Sequence, residues 1–190
     1  MDLAVVWLDS KIGTMAGLDD LAQIRGLFHF TDRRNLVLIR EHGGILSSRR
    51  LRERGVEFQS GGNQWSIDQD LRTGMDQYVH LCWDYGHPMA YQMTRREGSP
   101  RVEYLKIDRA ILELEGVMFS PDVANSANAR PLCTIKEACE NGMIDYDAIN
   151  RKIGSLYVLE NYRRRVAAEL SEILVPDIVE LKFVLEFPNG

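Results

Sequence analysis

Cysteine is scarce in this chain. Cys82, Cys133 and Cys139 are odd in number and never spaced as Cys-x-x-Cys, which argues against a disulfide framework and against a thiolate zinc site. His80, Cys82 and His87 lie close in sequence, but their spacing matches no established metal site, so no metal is expected. Long apolar runs are missing too, and none approaches the length of a membrane span. The first eight residues are too short for a signal peptide and carry Asp2 where a basic segment belongs, so the expectation is a reduced cytoplasm and no membrane partner. There is no Gly-x-Gly-x-x-Gly and no P-loop, which excludes the two commonest ways of cradling a nucleotide. Positive charge is short as well: the net charge of −5 argues against an unspecific nucleic-acid coat, whose affinity comes from counterion release by a basic surface.

What is present suits one domain. A chain of 190 residues, 45% hydrophobic and 27% charged, can bury one good core, whereas two cores would each be small. The arginines are clustered at Arg49 to Arg54, at Arg95, Arg96 and Arg101, and at Arg163 to Arg165. Each cluster reads either as a solvated face or as a local patch for a polyanion strand.

The stretch Leu27 to Leu36 organises the rest. Leu27 to Phe30 reads as a short apolar strand that runs into a helix over Asp32 to His42, with Thr31 as its cap and Asp32 at the positive end of its dipole. Such a junction gathers His29, Thr31 and Asn35 around one concave corner, either as a polar-ligand site or as a core histidine beside an ordinary cap. Gly43 and Gly44 end the helix.

Elsewhere the pattern predicts helices at Leu18 to Ile24, Ser48 to Arg54, Pro88 to Met93, Thr134 to Glu140, Tyr146 to Arg151 and Leu159 to Leu170. A turn or helix is predicted around Asp108 to Leu114. Strands are predicted at Tyr78 to Trp83, Arg101 to Ile107, Gly116 to Phe119, around Glu172 to Val175, and as one alternating run from Val179 to Phe187. Two polar stretches, Glu57 to Thr73 and Ser120 to Arg130, read as long loops over a site. Short strands with helices set among them favour α+β over a doubly wound parallel sheet. On the strand Ile173 and Val175 face one way, Glu172 and Leu174 the other, which leaves one carboxylate beside apolar neighbours.

Several segments together resemble one family. His29-x-Thr31 with Asn35-Leu36, then Gly43-Gly44-Ile45-Leu46-Ser47, is similar to the opening of the DarT family of DNA ADP-ribosyltransferase toxins. Asp76-Gln77-Tyr78-Val79 followed by His87-Pro88-Met89-x-Tyr91 resembles its Asp-Tyr-Val strand and Ser-Pro-Met-x-Tyr. Val117-Met118-Phe119-Ser120 resembles its Phe-Val-Phe-Thr, and the basic helix running into Glu172-Ile173-Leu174-Val175 resembles the segment that carries its catalytic Glu. The match runs in order from residue 27 to 185.

The resemblance implies a single-domain ADP-ribosyltransferase fold with a split antiparallel β core and peripheral helices. Residues 27–190 would form the domain and residues 1–26 a helical extension of it. It implies NAD as a substrate, a nucleic-acid base in single-stranded DNA as acceptor, no metal, and a DarG-like macrodomain antitoxin as partner. Glu172 would be catalytic, with Glu169 as its local rival. His29 and Thr31 would hydrogen-bond the NAD ribose and amide, Asn35 would steady the loop or the ribose, and Met89 would pack near the nicotinamide. Trp65, Arg72 and Asn125 would contact the strand. Three departures stand out. The loop before the Tyr-Val strand offers only Arg72 for the family's arginine, with the Arg49 to Arg54 run further upstream. His87 stands where the family usually has Ser, and Ala124-Asn125-Ser126 differs from thymidine-modifying members, which leaves guanine beside thymine as the base. Modification of RNA or protein by the same fold, and a non-enzymatic NAD-binding or nucleic-acid-binding module, stay open as alternatives.

Overall fold

The computed structural model describes residues 18–95, 101–126 and 131–188. Expectations for residues 1–17, Arg96 and the end of the second polar loop, 127–130, lie outside the described residues.

The core is β. Strand β1 (Leu27–Asp32) is followed by α1 (Leu36–Glu41), β2 (Gly44–Leu46), α2 (Ser48–Glu53), α3 (Gln64–Thr73), β3 (Tyr78–Leu81) and α4 (Pro88–Thr94). Then come β4 (Val102–Ile107), β5 (Met118–Ser120), β6 (Cys133–Thr134), α5 (Ile135–Glu140), α6 (Tyr146–Ile149), α7 (Leu159–Leu170), β7 (Glu172–Pro176), β8 (Ile178–Glu180) and β9 (Val184–Glu186). All described pairings are antiparallel, in sheets ordered β1-β4-β9, β2-β8 and β3-β7-β5-β6. This is a mixed helix and sheet fold with a split antiparallel core.

The split is what positions the site. Phe28 and Cys82 exchange both backbone hydrogen bonds at 2.8 Å, so a β-bridge joins the first sheet to the segment that follows β3 of the third. His29, one residue on from Phe28, lies beside the crevice where the sheets part. Beneath it Leu27, Leu81, Leu105, Ile107, Phe119 and Ile173 are almost wholly buried. Each such side chain contributes about 1.5–3 kcal/mol on burial.

Four elements differ from the sequence-based expectation. Thr31 remains in β1, and the cap is Asp32, whose carboxylate accepts from the Arg34 N–H at 2.8 Å; a 3₁₀ turn over Arg33–Asn35 precedes α1. Gly43 takes φ 73° as a helix terminator should, but Gly44 opens a strand. A Cβ on Gly44 would stand 2.4 Å from the Val179 carbonyl oxygen, so only glycine lets β2 reach β8. The supposed long loop contains α3, started by the Asn63 side chain, which accepts from the Ser66 N–H, and ended by Gly74 at φ 75°. Its Trp65 and Leu71 are exposed, so no apolar stripe announced it. The run from Val179 to Phe187 breaks at a 3₁₀ turn, Leu181–Phe183, where the chain leaves β2 for β4.

Candidate active site

A cavity of about 300 Å³ opens at the split. His29, Thr31, Asn35, Gln59, Gly61, Ser66, Asp70, His80, Met89, Asn125 and Glu172 are among its walls. Thus β1, β3, β7, the head of α1, α3 and the start of α4 converge on one space.

Glu172 opens β7, the second strand of its sheet, with Ser120 of β5 directly opposite. It is only 7% exposed. Its Oε2 accepts from His80 Nδ1 at 3.2 Å and from the Ala124 backbone N–H at 2.9 Å. Oε1 lies 4.0 Å from His87 Nε2. Burial alone would disfavour the carboxylate, yet the His80 charge, these hydrogen bonds and His87 offset it and hold the group below the usual range. Glu172 is therefore an anion facing a partly apolar cavity. Glu169 points elsewhere, accepting from Arg165 Nε at 2.7 Å.

His29 is buried enough that its pKa falls to about 4, in spite of its hydrogen bond to the His80 carbonyl. That bond, Nδ1 to O at 3.0 Å, places the ring proton on Nδ1 and leaves the Nε2 lone pair as an acceptor. Neutral at physiological pH, His29 can receive a ligand hydroxyl.

Asn35 works in two directions. Its amide donates to Thr31 Oγ1 at 3.0 Å and to the Gln59 carbonyl at 2.8 Å, while its carbonyl oxygen accepts from the Gln59 N–H at 2.9 Å. It straps the Gln59 to Gly62 wall onto β1. Asn35→Ala should cost about 2 kcal/mol, from two lost backbone partners. Thermal melting measures that loss, and a cost below about 0.5 kcal/mol would mean that the strap holds nothing in place.

Residues 28–187 match the family model described as "ssDNA thymidine ADP-ribosyltransferase, DarT". The chain belongs to the DarT family. No curated protein matches it. Among solved structures it is similar to Thermus sp. 2.9 DarT in complex with ADP-ribosylated ssDNA, with a TM-score of 0.64, 16% identity, 85% of this chain and 79% of that chain covered. Thermosipho africanus DarTG in complex with ADP-ribose matches with a TM-score of 0.64 at 15% identity, over 84% of this chain and 42% of that one. Thermus sp. 2.9 DarT in complex with NAD+ gives 0.59 at 17% identity, covering 85% and 79%. The fold is the DarT fold.

Against that family pattern the remaining residues sort clearly. His29, Thr31, Asn35, Met89, Asn125 and Glu172 all line the DarT-fold cavity. Asn125 does so with its amide committed, donating to Ser66 Oγ at 2.8 Å and Asp70 Oδ1 at 2.9 Å, so it braces the 121–126 loop against α3. Trp65 and Arg72 sit on the outer face of α3, apart from the cavity lining, and Arg72 binds its neighbour Gln69.

The arginine on the cavity wall is Arg52, which with Arg49 pairs to the buried Asp76. The sequence offers Arg52 only within the Arg49 to Arg54 run, because α2 carries three arginines, Arg49, Arg50 and Arg52, with Arg54 as its cap, and nothing local separates them. His87, where the family has Ser, still caps α4: its Nδ1 accepts from the Met89 N–H at 3.2 Å. His80, which in sequence stands out only beside Cys82 and His87, hydrogen-bonds Glu172, and among the described residues no three His, Cys, Asp or Glu side chains gather to hold an ion. Cys82 instead donates to the carbonyls of Phe28 and Asp84, and burial pushes its thiol up to about 12.

Proposed function

We propose that this DarT-family chain transfers ADP-ribose from NAD to a thymidine base in single-stranded DNA, with Glu172 as its catalytic residue. The observation that carries the reading is a buried, anionic carboxylate on the wall of the cavity that the family's motifs surround. NAD fits the donor set: a neutral histidine acceptor at His29, the Thr31 hydroxyl, the Gln59–Gly62 backbone and the thioether of Met89. No metal cluster is required by this chemistry.

Breaking the ribose C1′–nicotinamide bond sends its electron pair to nicotinamide and leaves positive charge on the sugar. Glycosidases stabilise the same kind of charge with carboxylates. Glu172 would lie against that charge and then accept the proton of the thymine nitrogen as the nitrogen–C1′ bond forms. His29 and Thr31 would hold the ribose and the amide, and Asn35 would keep their wall in place. Asn125 would set the loop that borders the acceptor.

The exposed Trp65 is 57% accessible and would stack on a base splayed from the strand, since a base must be unstacked before it reacts. Trp65→Ala should then weaken binding of a single-stranded oligonucleotide about 10-fold, read by fluorescence anisotropy. Unchanged affinity would take Trp65 out of the strand path.

Among the described residues no helix is long and apolar enough to cross a membrane. The reaction needs NAD and DNA together, which puts the protein in the cytoplasm. There it would act as a toxin countered by a macrodomain antitoxin of the DarG type. Residues 27–190 would constitute the catalytic domain, with residues 1–26 as an extension of it.

The test is incubation of purified protein with NAD and short DNA and RNA oligonucleotides of varied base content, followed by mass spectrometry. One ADP-ribose gained only by thymidine-containing single-stranded DNA establishes the activity. Gain on guanine or on RNA changes the acceptor. Nicotinamide release with no polymer modified makes the chain a glycohydrolase.

A further inference from the structure

Two histidines flank Glu172, and their hydrogen bonds assign their protons. His80 places Nδ1 3.2 Å from Glu172 Oε2 and Nε2 3.3 Å from the Met75 carbonyl oxygen. Both partners are acceptors. A neutral imidazole has one N–H and can serve only one of them, whereas the imidazolium donates to both. His87 spends Nδ1 as acceptor for the Met89 N–H, so its proton is on Nε2. That Nε2 is buried without a hydrogen-bond partner, 4.0 Å from Glu172 Oε1.

The two oxygens of Glu172 are consequently unlike. Oε2 is committed to two donors, His80 Nδ1 and the Ala124 N–H. Among the described residues Oε1 has only the distant His87. We infer that His80 is a positioning residue for the transfer: as an imidazolium it pins Oε2 and keeps Glu172 ionised, so that Oε1 alone faces the ribose charge and receives the acceptor's proton. The geometry has a simple origin, because His80 and Glu172 share one face of neighbouring antiparallel strands. His80 is opposite Leu174, which makes Glu172 its diagonal neighbour, within reach of a long side chain.

The charges around His80 agree. The carboxyls of Glu172 on β7 and Asp70 on α3 face it, burial pushing Asp70 above its usual range, His29 on β1 is neutral, and His87 before α4 is held below its usual range by burial. Burial disfavours the His80 cation, but the Glu172 charge and hydrogen bond, Asp70 and the Met75 carbonyl raise its pKa to about 9. The ion pair is thus complete above the lowered titration of Glu172 and is lost as pH rises through about 9.

This inference rests on the transferase reading, and the experiment separates the two. His80→Asn keeps a donor near Nδ1 but removes the charge. It should lower kcat about 10-fold, leave the NAD KM within about 2-fold, and move the acid limb of the kcat profile up by about one pH unit. His80→Leu removes the donor as well and should lower kcat about 100-fold. In ¹⁵N-histidine spectra of the wild-type protein both His80 nitrogens should be protonated at pH 7.5, and Glu172→Gln should return the titration toward the ordinary histidine range.

A neutral His80 at pH 7.5 in a wild-type protein that transfers ADP-ribose overturns the inference and leaves the function standing. So does an unmoved acid limb in His80→Asn. A wild-type protein that transfers nothing, with His80 still doubly protonated, overturns the transferase reading and the positioning role together.

Discussion

Glu172→Gln should lower ADP-ribose transfer about 10³-fold while the protein still folds and binds NAD. The size follows from two losses. In the proposed mechanism the carboxylate balances positive charge on the ribose, a contribution typically of about 10²–10³ in kcat. It would also take the thymine proton, and general-base catalysis is commonly worth about 10²–10⁴. These act through one side chain at one moment, so they do not simply multiply.

Stability should change little by comparison. Glutamine keeps the volume, and its oxygen can still accept from the Ala124 N–H, now 2.9 Å from Glu172 Oε2. His80 loses its counter-ion, but a histidine can shed its proton and stay buried as a neutral ring. The decisive measurement is single-turnover transfer to a thymidine-containing oligonucleotide, alongside calorimetric NAD binding. Transfer within about 10-fold of wild type would remove Glu172 from the chemistry; lost NAD binding would make it a binding residue instead.

The positions that line the cavity stand on local patterns, but those patterns suit a core histidine and a solvent-facing Glu equally well, and the family resemblance is what singles them out. The strand into Phe30, the corner of His29, Thr31 and Asn35, and Glu172 at the start of a buried strand each leave a trace within ten residues. What could not be read depends on distance across the fold. Nothing local says that His80 is the diagonal neighbour of Glu172, because strand register is decided by the whole sheet. Helix α3 was hidden for another reason: its buried face carries Ser66 and its outer face Trp65 and Leu71, the reverse of the usual amphipathic order. The last strands were misread as one because alternation continues across the turn at Leu181–Phe183, where the chain changes sheet.

The basic run Arg163 to Arg165 shows the same limit and leads to the second large effect. In sequence it is a patch for a polyanion or a solvated face. In the fold Arg164 pairs with Asp145 at 2.6 Å, and Arg165 is buried. Its guanidinium donates to Glu169 Oε1 at 2.7 Å, to the Ala148 carbonyl at 2.8 Å and to Asp84 Oδ2 at 2.6 Å. One side chain therefore ties α7 to α6 and to the segment that follows β3.

Arg165→Met should cost about 3 kcal/mol, because removing one member of a buried charge pair leaves its partners short of both charge and donors. For a chain of this size that is a fall in Tm of about 6–12 °C. Arg165→Lys should recover only part of it, since an ammonium group cannot reach three acceptors in three directions. Burial pushes the Asp84 carboxyl up, but Arg165 and Arg151 hold it below its usual range. Its contribution is present above the unfolded-state pKa and is lost as pH falls through the folded one, so the mutant's Tm should be less sensitive to acid than the wild type's. Because α7 runs directly into β7, loosening it should also slow transfer by shifting Glu172, with NAD affinity less affected. Thermal melts of both variants at neutral and acidic pH decide the matter: a Tm within about 1 °C of wild type would mean that the Arg165 network contributes nothing to holding β7 in place.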